Sequence, residues 1–361
     1  MKIMTILGTR PEIIRLCLVI RRLDELCDQV LVNTGQNYDA NLNDVFFAEL
    51  GVRAPDHELG ARGSFGEQIG TILTGAERVM RAEKPDRFLV LGDTNSSLAA
   101  IMAKRLRIPV YHMEAGNRGY DDRVPEEVNR RIIDHSSTIL LPYTERSKEN
   151  LLREGIAADH IYVTGNPIFE VLNHFGAEIS ASDVHARLGV APHDYFLATL
   201  HRAETVDLDD RLMSVVEALR AIHAKYGLPI LWSVHPHTRR RLTELGIDPD
   251  QIEGVSCLEP LGLFAFVALE KAARGVLTDS GTVQEECSIF GIPSVTLRDV
   301  TERPETIEAG SNMLAGVRTD DILRAVAVVL SSEPAWQPPA GYLDRDVSAT
   351  VVKIILSGSR D

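Results

Sequence analysis

Apolar residues along the chain fall into short uninterrupted runs, separated by longer stretches in which they recur every three or four positions. The runs predict strands near 2–7, 29–33, 88–91, 109–113, 138–141 and 161–164, and the intervening periodicity predicts helices such as 12–26, 67–82, 96–105 and 145–154. Strands that alternate with amphipathic helices are the pattern of parallel βαβ units. After an irregular stretch around 176–194 the pattern restarts, with strands near 195–199, 229–233, 255–257, 275–278 and 293–297 and helices such as 209–225, 262–273 and 319–331. The segment Pro334-Ala335-Trp336-Gln337-Pro338-Pro339 reads as a linker, and 346–357 returns to helix. The reading is therefore an α/β chain of two Rossmann-like, doubly wound domains, residues 1–168 plus 346–361 and residues 169–345, with the last helix returning to the first domain.

Ligands of open parallel sheets bind beyond the C-terminal ends of the strands, so the residues that end each apolar run carry the most information. Six exits are polar: Gly8-Thr9-Arg10-Pro11-Glu12, Gly92-Asp93-Thr94, His112-Met113-Glu114-Ala115-Gly116, His201-Arg202, His235-Pro236-His237 and Asp279-Ser280-Gly281. Three fall in each domain, which is expected to set them across a common cleft.

Composition narrows the function without naming it. An apolar fraction of 44% and a charged fraction of 25% over 361 residues are those of a globular protein large enough for two cores. A formal charge of -14 disfavours a nucleic-acid binder, so an anionic ligand needs a local basic pocket. Cys17, Cys27, Cys257 and Cys287 show neither a CxxC pair nor a zinc-like spacing with histidines; reduced, buried thiols and no metal are expected. Met1 leads straight into a strand-like run too short for a signal peptide and no stretch approaches a membrane span, so a cytoplasmic protein without membrane contact is expected.

Each motif has a plain reading beside a functional one. Pro11 stands at the first turn of a helix where Arg10 and free amides can meet an anion, although an ordinary strand-to-helix turn has the same residues. Neither this exit nor any later one carries G-x-G-x-x-G, so nicotinamide-dependent oxidation loses its main support and no cofactor is expected. In Asp279-Ser280-Gly281-Thr282-Val283-Gln284-Glu285-Glu286 the turn amides can cradle a diphosphate with Glu286 on a ribose diol, or the segment is a helix cap with acidic residues after it. Glu259-Pro260-Leu261 with Phe264 and Phe266 can frame a base or fill core. In Val124–Arg131, Pro125 opens a helix on which Glu126, Asn129 and Arg130 share a face while Val128 and Ile132 turn to the core; spacing alone favours a capped, solvated helix. Asp93 and Glu114 are caps, or else they join Glu126 as three carboxylates converging from one domain. A lone histidine at a strand exit, as at His201 and His235, is more often structural than catalytic.

The ordered set is more specific than any member of it. Together with Thr34-Gly35-Gln36, Glu114-Ala115-Gly116-Asn117-Arg118, Thr164-Gly165-Asn166, Glu259-Pro260-Leu261 and Arg298-Asp299 through Glu305, these residues resemble the non-hydrolysing UDP-N-acetylglucosamine 2-epimerase family over essentially the whole chain. The resemblance implies an isomerase of GT-B fold with an interdomain active-site cleft, usually a homodimer, holding UDP mainly through its C-terminal domain. It implies Arg10, His201, Ser280 and Gly281 at the diphosphate, Glu286 at the ribose and Phe266 at the uracil, with Arg130, His235 and Arg303 also on the substrate. Asp93, Glu114 and Glu126 match the family's acid/base carboxylates, and His201 is implicated in activity. Arg15 replaces the lysine of many members, and Thr282 replaces a glycine. Residues 35–44 lack the pattern that allosteric bacterial members use for a second UDP-N-acetylglucosamine, so substrate activation is not expected. Asn37-Tyr38-Asp39, with residues 112–118 and Arg123-Val124-Pro125, is more similar to relatives acting on 6-modified or diacetamido-uronic sugars.

Such chemistry suits the residues. The hydrogen on C2 of a 2-acetamido sugar is not beside a carbonyl, and becomes removable by a carboxylate only as UDP leaves C1. That demands carboxylates on both faces of C2 and cations or N–H donors on the departing diphosphate. Elimination also needs a dry site, so closure about hinges near 165–170 and 340–346 is expected. A GT-B glycosyltransferase with a UDP-sugar donor, a hydrolysing 2-epimerase and a catalytically silent UDP-sugar sensor are the alternatives.

Overall fold

The computed structural model describes residues 1–36 and 40–358, with the side chains of 40–44 left aside. Asn37, Tyr38 and Asp39, which carry part of the substrate resemblance, lie outside the described residues. The chain divides into two compact units, Met1–His174 with the chain from Ala340 onward, and Phe175–Pro339.

In the first unit the apolar runs form β1 (Lys2–Leu7), β2 (Asp28–Asn33), β3 (His57–Glu58), β4 (Arg87–Leu91), β5 (Val110–Met113) and β6 (Ile139–Leu141). They build one sheet in the order β3-β2-β1-β4-β5-β6 with every pairing parallel. Helices cover both faces of such a sheet, which is why its strands read as continuous apolar runs. Ile3, Met4, Ile6 and Leu7 of β1 are fully buried, as are Phe88, Leu89 and Val90 of β4; each such side chain contributes roughly 1.5–3 kcal/mol on leaving water.

The second unit repeats the plan with β7 (Phe196–Leu200), β8 (Ile230–Val234), β9 (Val255–Leu258), β10 (Gly275–Thr278), β11 (Ser294–Thr296) and β12 (Asn312–Leu314). Its order is β12-β11-β10-β7-β8-β9, the same winding, around a core that contains Trp232, Leu219 and Ile222. In each sheet the winding reverses between two neighbouring strands, β1 and β4 in one and β7 and β10 in the other. The crevice at that reversal is where doubly wound sheets take ligands.

The first crevice is tied together locally. Thr9 caps the Arg10–Leu26 helix in a capping box with Glu12, and Pro11 occupies its first turn. One Glu12 oxygen accepts from the backbone N–H of Gly8 and Thr9 and from the Thr9 hydroxyl at 2.8–3.0 Å. The other accepts from Thr94 Oγ1 at 2.9 Å, across the reversal and 82 residues away. Gly8 is required by packing, since a Cβ there would fall 1.9 Å from Thr34 Oγ1 and 2.4 Å from Ser96 Oγ.

Several expectations change. Residues 161–164 form no strand: Ile161 makes an isolated bridge to Leu140 at the outer edge of β6, and Tyr162 and Thr164 N–H donate to the Leu140 and Pro142 carbonyls at 2.9 and 3.0 Å. The short edge strands β3 and β12 were not anticipated, and the stretch 176–194 contains two single-turn helices, Gly176–Ser180 and Val184–Leu188. Val128 and Ile132 do not face the core: they are 46% and 38% exposed, because the Pro125–Ser136 helix buries Glu127, Asn129, Arg130, Ile133 and Asp134 instead. The final helix, Val347–Leu356, lies in the first unit, where Ser348 Oγ accepts from Arg22 Nε at 2.8 Å and its N–H donates to Glu170 at 2.7 Å. Among the described residues no helix is long and apolar enough to cross a membrane, and all four cysteines are free thiols.

Burial pushes the Glu12 carboxyl up to about 7, although all its hydrogen bonds favour the charged form. An acid whose folded value exceeds its unfolded one adds stability that is complete below the unfolded value and is lost as the pH rises through the folded value. Relative to Glu12→Gln, the protein is expected to lose about 3 kcal/mol of unfolding free energy between about pH 5 and about pH 8. Urea unfolding of both proteins across that range checks this, and parallel pH profiles would contradict it.

Candidate active site

The first unit gathers acidic side chains at two adjacent strand ends. Leu91 of β4 pairs with Met113 of β5, so Gly92 and Glu114 leave the sheet side by side, with Asp93 one residue further on. Gly92 N–H donates to Met113 O at 2.9 Å, and a Cβ at Gly92 would lie 3.9 Å from Glu114 Oε2. Glu114 adopts φ +65°, the left-handed region that a residue with a side chain rarely occupies. Such a conformation costs on the order of 1–3 kcal/mol and concentrates at functional sites.

Each carboxylate is met by a guanidinium. Arg15 Nη1 donates to Glu114 Oε2 across 99 residues, and Arg15 lies over the Tyr143 ring at 5.7 Å. Asn117 Nδ2 donates to Glu114 Oε1 at 3.3 Å. The position at which the sequence departs from many relatives thus sits directly on a candidate acid/base group.

Asp93 pairs with Arg130 at 2.6 Å, and Asn129 Nδ2 donates to the Asp93 carbonyl at 2.9 Å. Both partners come from the Pro125–Ser136 helix, on which half-buried Glu126 stands one turn earlier on the same face. Arg130 also holds Glu127 at 2.8 Å. Burial opposes the charge on Glu127, yet the Gly119 and Tyr120 amides and Arg130 prevail and keep its carboxyl below the usual range.

Beneath these loops lies fully buried His112, whose Nδ1 meets Asp134 at 2.8 Å and whose Nε2 meets the Gly92 carbonyl at 2.9 Å. Asp134 in turn pairs with Arg118 at 2.8 Å and accepts from Gly116 N–H at 3.2 Å. The loops bearing Asp93 and Glu114 are therefore stitched to one buried carboxylate. Arg10 lies 5.6 Å above the ring of Phe46.

The second unit builds a different environment at its own reversal. Asp279, fully buried after β10, accepts from the backbone N–H of His201 and Arg202 at 2.7 Å each and meets His201 Nδ1 at 3.0 Å, bridging to the end of β7. Burial works against its charge, but His201 and the two amides prevail and hold the carboxyl below its ordinary value. The His201 side chain remains 40% exposed, with Nε2 as the ring nitrogen not engaged by Asp279.

Ser280 then opens the ten-residue Gly281–Phe290 helix without a side-chain cap bond. A Cβ on Gly281 would meet its nearest neighbours, Glu302 and Arg303, only at 3.6–3.8 Å, so protein packing does not demand this glycine. A helix start of this kind suits an anion. Arg303 is buried with Nε on Glu285, and His235 caps the Pro236–Glu244 helix by accepting the His237 N–H at 3.2 Å. Phe266 is half-buried on the Leu263–Lys271 helix, which packs beside the helix that carries Glu286.

Sequence reasoning met Glu12, His112, Glu127 and Asp279 within its motifs and Arg15 as a departure but gave them no role at these sites, and it passed over Asp134. For all of them but Glu127 the available signal is an ionisable residue inside or at the end of an apolar run, which is improbable unless it is paired.

The sequence profile of the UDP-N-acetylglucosamine 2-epimerase family matches residues 21–356. The chain belongs to that family. The enzyme is accordingly an isomerase, and its two doubly wound units are of the GT-B type. It is 43% identical over 350 residues to the UDP-N-acetylglucosamine 2-epimerase of Methanocaldococcus jannaschii, covering 94% of this chain and 95% of that one. It is 38% identical over 335 residues to the UDP-2,3-diacetamido-2,3-dideoxy-D-glucuronate 2-epimerase of Pseudomonas aeruginosa, covering 91% and 92%. The crystal structure of the M. jannaschii enzyme in complex with UDP-GlcNAc and UDP matches with a TM-score of 0.95 at 41% identity, over 99% of this chain and 100% of that one.

Removing the cation common to Asp93 and Glu127 leaves two carboxylates without it. Arg130→Met is expected to cost about 3 kcal/mol, whereas Arg131→Met, at a half-exposed arginine that also meets Glu127, costs under about 1 kcal/mol. Chemical denaturation of the two variants checks the contrast.

Proposed function

We propose that the enzyme interconverts UDP-N-acetylglucosamine and UDP-N-acetylmannosamine without net hydrolysis, by anti elimination of UDP and its re-addition. The C1–O bond breaks and its electron pair leaves with UDP. A carboxylate takes the C2 proton, and the C2–H pair becomes the C1–C2 double bond of a 2-acetamidoglucal. A carboxylic acid on the opposite face then returns a proton to C2 while a UDP oxygen attacks C1. No oxidant or water is consumed, and the products are isomers of the substrates.

One observation carries this reading: Asp93 and Glu114 leave adjacent strands of one sheet side by side, with Glu126 on the face of the helix whose Asn129 and Arg130 bind Asp93. General acid/base work on two faces of one carbon needs acidic groups of that number and closeness. In this reading Asp93, Glu114 and Glu126 handle the proton, and the second unit holds the nucleotide. Ser280 and Gly281 offer helix-terminal amides to the diphosphate, and His201 turns Nε2 to it because Nδ1 is held by Asp279. Arg10, Arg130, His235 and Arg303 complete the anion's surroundings, Phe266 meets the uracil and Glu286 the ribose. A homodimer is part of the same reading.

A 6-modified or diacetamido-uronic substrate is the second reading, favoured by the residues around Asn37 and Arg123 and by the 38% identity to the diacetamido-glucuronate 2-epimerase. Incubation with UDP-N-acetylglucosamine and, separately, with 6-modified donors in heavy water separates them, with the C2 proton followed by NMR. Deuterium is expected at C2 with UDP-N-acetylglucosamine, and Asp93→Asn, Glu114→Gln and Glu126→Gln should each slow its entry by about 10²–10⁴-fold. Exchange with a 6-modified donor alone would select the second reading; no exchange with any donor would refute both.

A further inference from the structure

Behind the proposed nucleoside site lies a buried pair of carboxyl groups that the mechanism leaves unused. Glu270 stands one helical turn after Phe266 on the Leu263–Lys271 helix and is wholly inaccessible to solvent. Its Oε1 accepts from Cys287 Sγ at 3.3 Å, while its Oε2, also buried, meets no donor among the described residues, and Glu270 forms no ion pair there. The group that faces it within hydrogen-bonding reach is the carboxyl of Glu286, itself only 3% exposed, on the neighbouring Gly281–Phe290 helix.

Two carboxylates cannot both carry charge at this depth without a cation between them. Burial first, and then the charge of Glu286, drive the Glu270 carboxyl well above the usual carboxylate range. Burial and the same two acids raise the Cys287 thiol as well, so the sulfur stays a weak donor. Glu270, wholly buried and without an ion pair among the described residues, therefore keeps its proton, at the oxygen that otherwise has no donor.

We propose that Glu270 is a positioning residue for nucleotide binding: as a neutral acid it donates from Oε2 to the Glu286 carboxylate and fixes the rotamer in which Glu286 accepts the ribose hydroxyls. The inference rests on the reading of Glu286 as the ribose partner. Phe266 and Glu270, one turn apart, then make one face of a helix serve base and sugar together, the first by contact and the second through Glu286. A site that spends a buried acceptor on a ribose diol discriminates against nucleotides lacking it.

Calorimetric binding of UDP and of 2′,3′-dideoxy-UDP to the full chain tests this. Glu270→Met fills the same space without a donor and is expected to weaken UDP binding about tenfold while leaving dideoxy-UDP unchanged, and to raise KM for the nucleotide sugar with kcat preserved. Glu270→Gln, whose amide N–H can replace the donor, is expected to stay within about threefold of wild type for UDP. A Met variant that keeps the wild-type UDP affinity, or that loses both ligands equally, overturns the proposal. Glu286→Gln separates the two levels. If it leaves the preference for UDP over dideoxy-UDP intact, the ribose assignment itself is wrong; if it abolishes that preference while Glu270→Met does not, the positioning role alone fails. Infrared spectra give a readout that does not depend on the Met variant folding. In the wild-type minus Glu270→Gln difference spectrum at neutral pH, where the contribution of Glu12 cancels, a protonated carboxyl band is expected that UDP shifts and dideoxy-UDP does not; its absence would contradict a neutral Glu270.

Discussion

A charge withdrawn from water has to be met by an opposite charge or by oriented N–H groups, and this requirement organises both crevices. Arg130 holds Asp93 and Glu127; Arg15 holds Glu114; Asp134 takes His112, Arg118 and the Gly116 amide; Asp279 takes His201 and two backbone amides. These pairs join strand ends that the sheets bring together but that the chain keeps far apart. A loop tied in this way is held at its strand end. Charged pairs of this kind add little net stability against apolar replacements, so placement of functional groups is the better account of their presence.

The two reversals hold opposite equipment. The first unit concentrates acids at two adjacent strand ends, Asp93 beside Arg130 and Glu114 beside Arg15, and the proposed reaction assigns them its proton transfers. In the second, an Asp-held histidine stands beside a helix start with room in front of Gly281, which suits an anion that must be gripped as it departs. Elimination across C1 and C2 needs both kinds of environment, since the carbon-bound hydrogen is inert until the anomeric oxygen begins to leave. Substrate identity is a finer matter that depends on groups around C6, for which residues 37–39 carry part of the sequence signal.

Much of this was legible in the sequence because parallel strands announce themselves as apolar runs and their polar ends as interruptions. The two-sheet plan and the exits at Gly8, Gly92, Glu114, His201, His235 and Asp279 follow from that alone. Partners were not legible. Arg15 and Glu114 are 99 residues apart, and Asp279 and His201 Nδ1 meet only because β7 and β10 are adjacent, which no local pattern encodes. Residues 161–164 misled only in part: their apolar run does lie along the edge strand β6, with Tyr162 N–H on the Leu140 carbonyl and Thr164 N–H on that of Pro142, but the pairing amounts to one isolated bridge. On the Pro125–Ser136 helix, buried Asn129 and Arg130 displace Val128 and Ile132 to the surface, which inverts the usual rule that apolar residues mark the inner face.

In the proposed reaction UDP leaves C1 before C2 can exchange its proton, and the paired acids of the first unit take that proton. The most direct test is the oxygen-18 isotope effect on kcat/KM for a nucleotide sugar labelled in the C1–O–P bridge, measured with the slowed Glu114→Gln variant so that chemistry sets the rate. Cleavage of the bridge predicts a normal effect, the heavier isotope reacting more slowly. An effect of unity, with hydrogen at C2 still exchanging with solvent, would show that C2 is deprotonated while the C1–O bond is intact and would contradict the account.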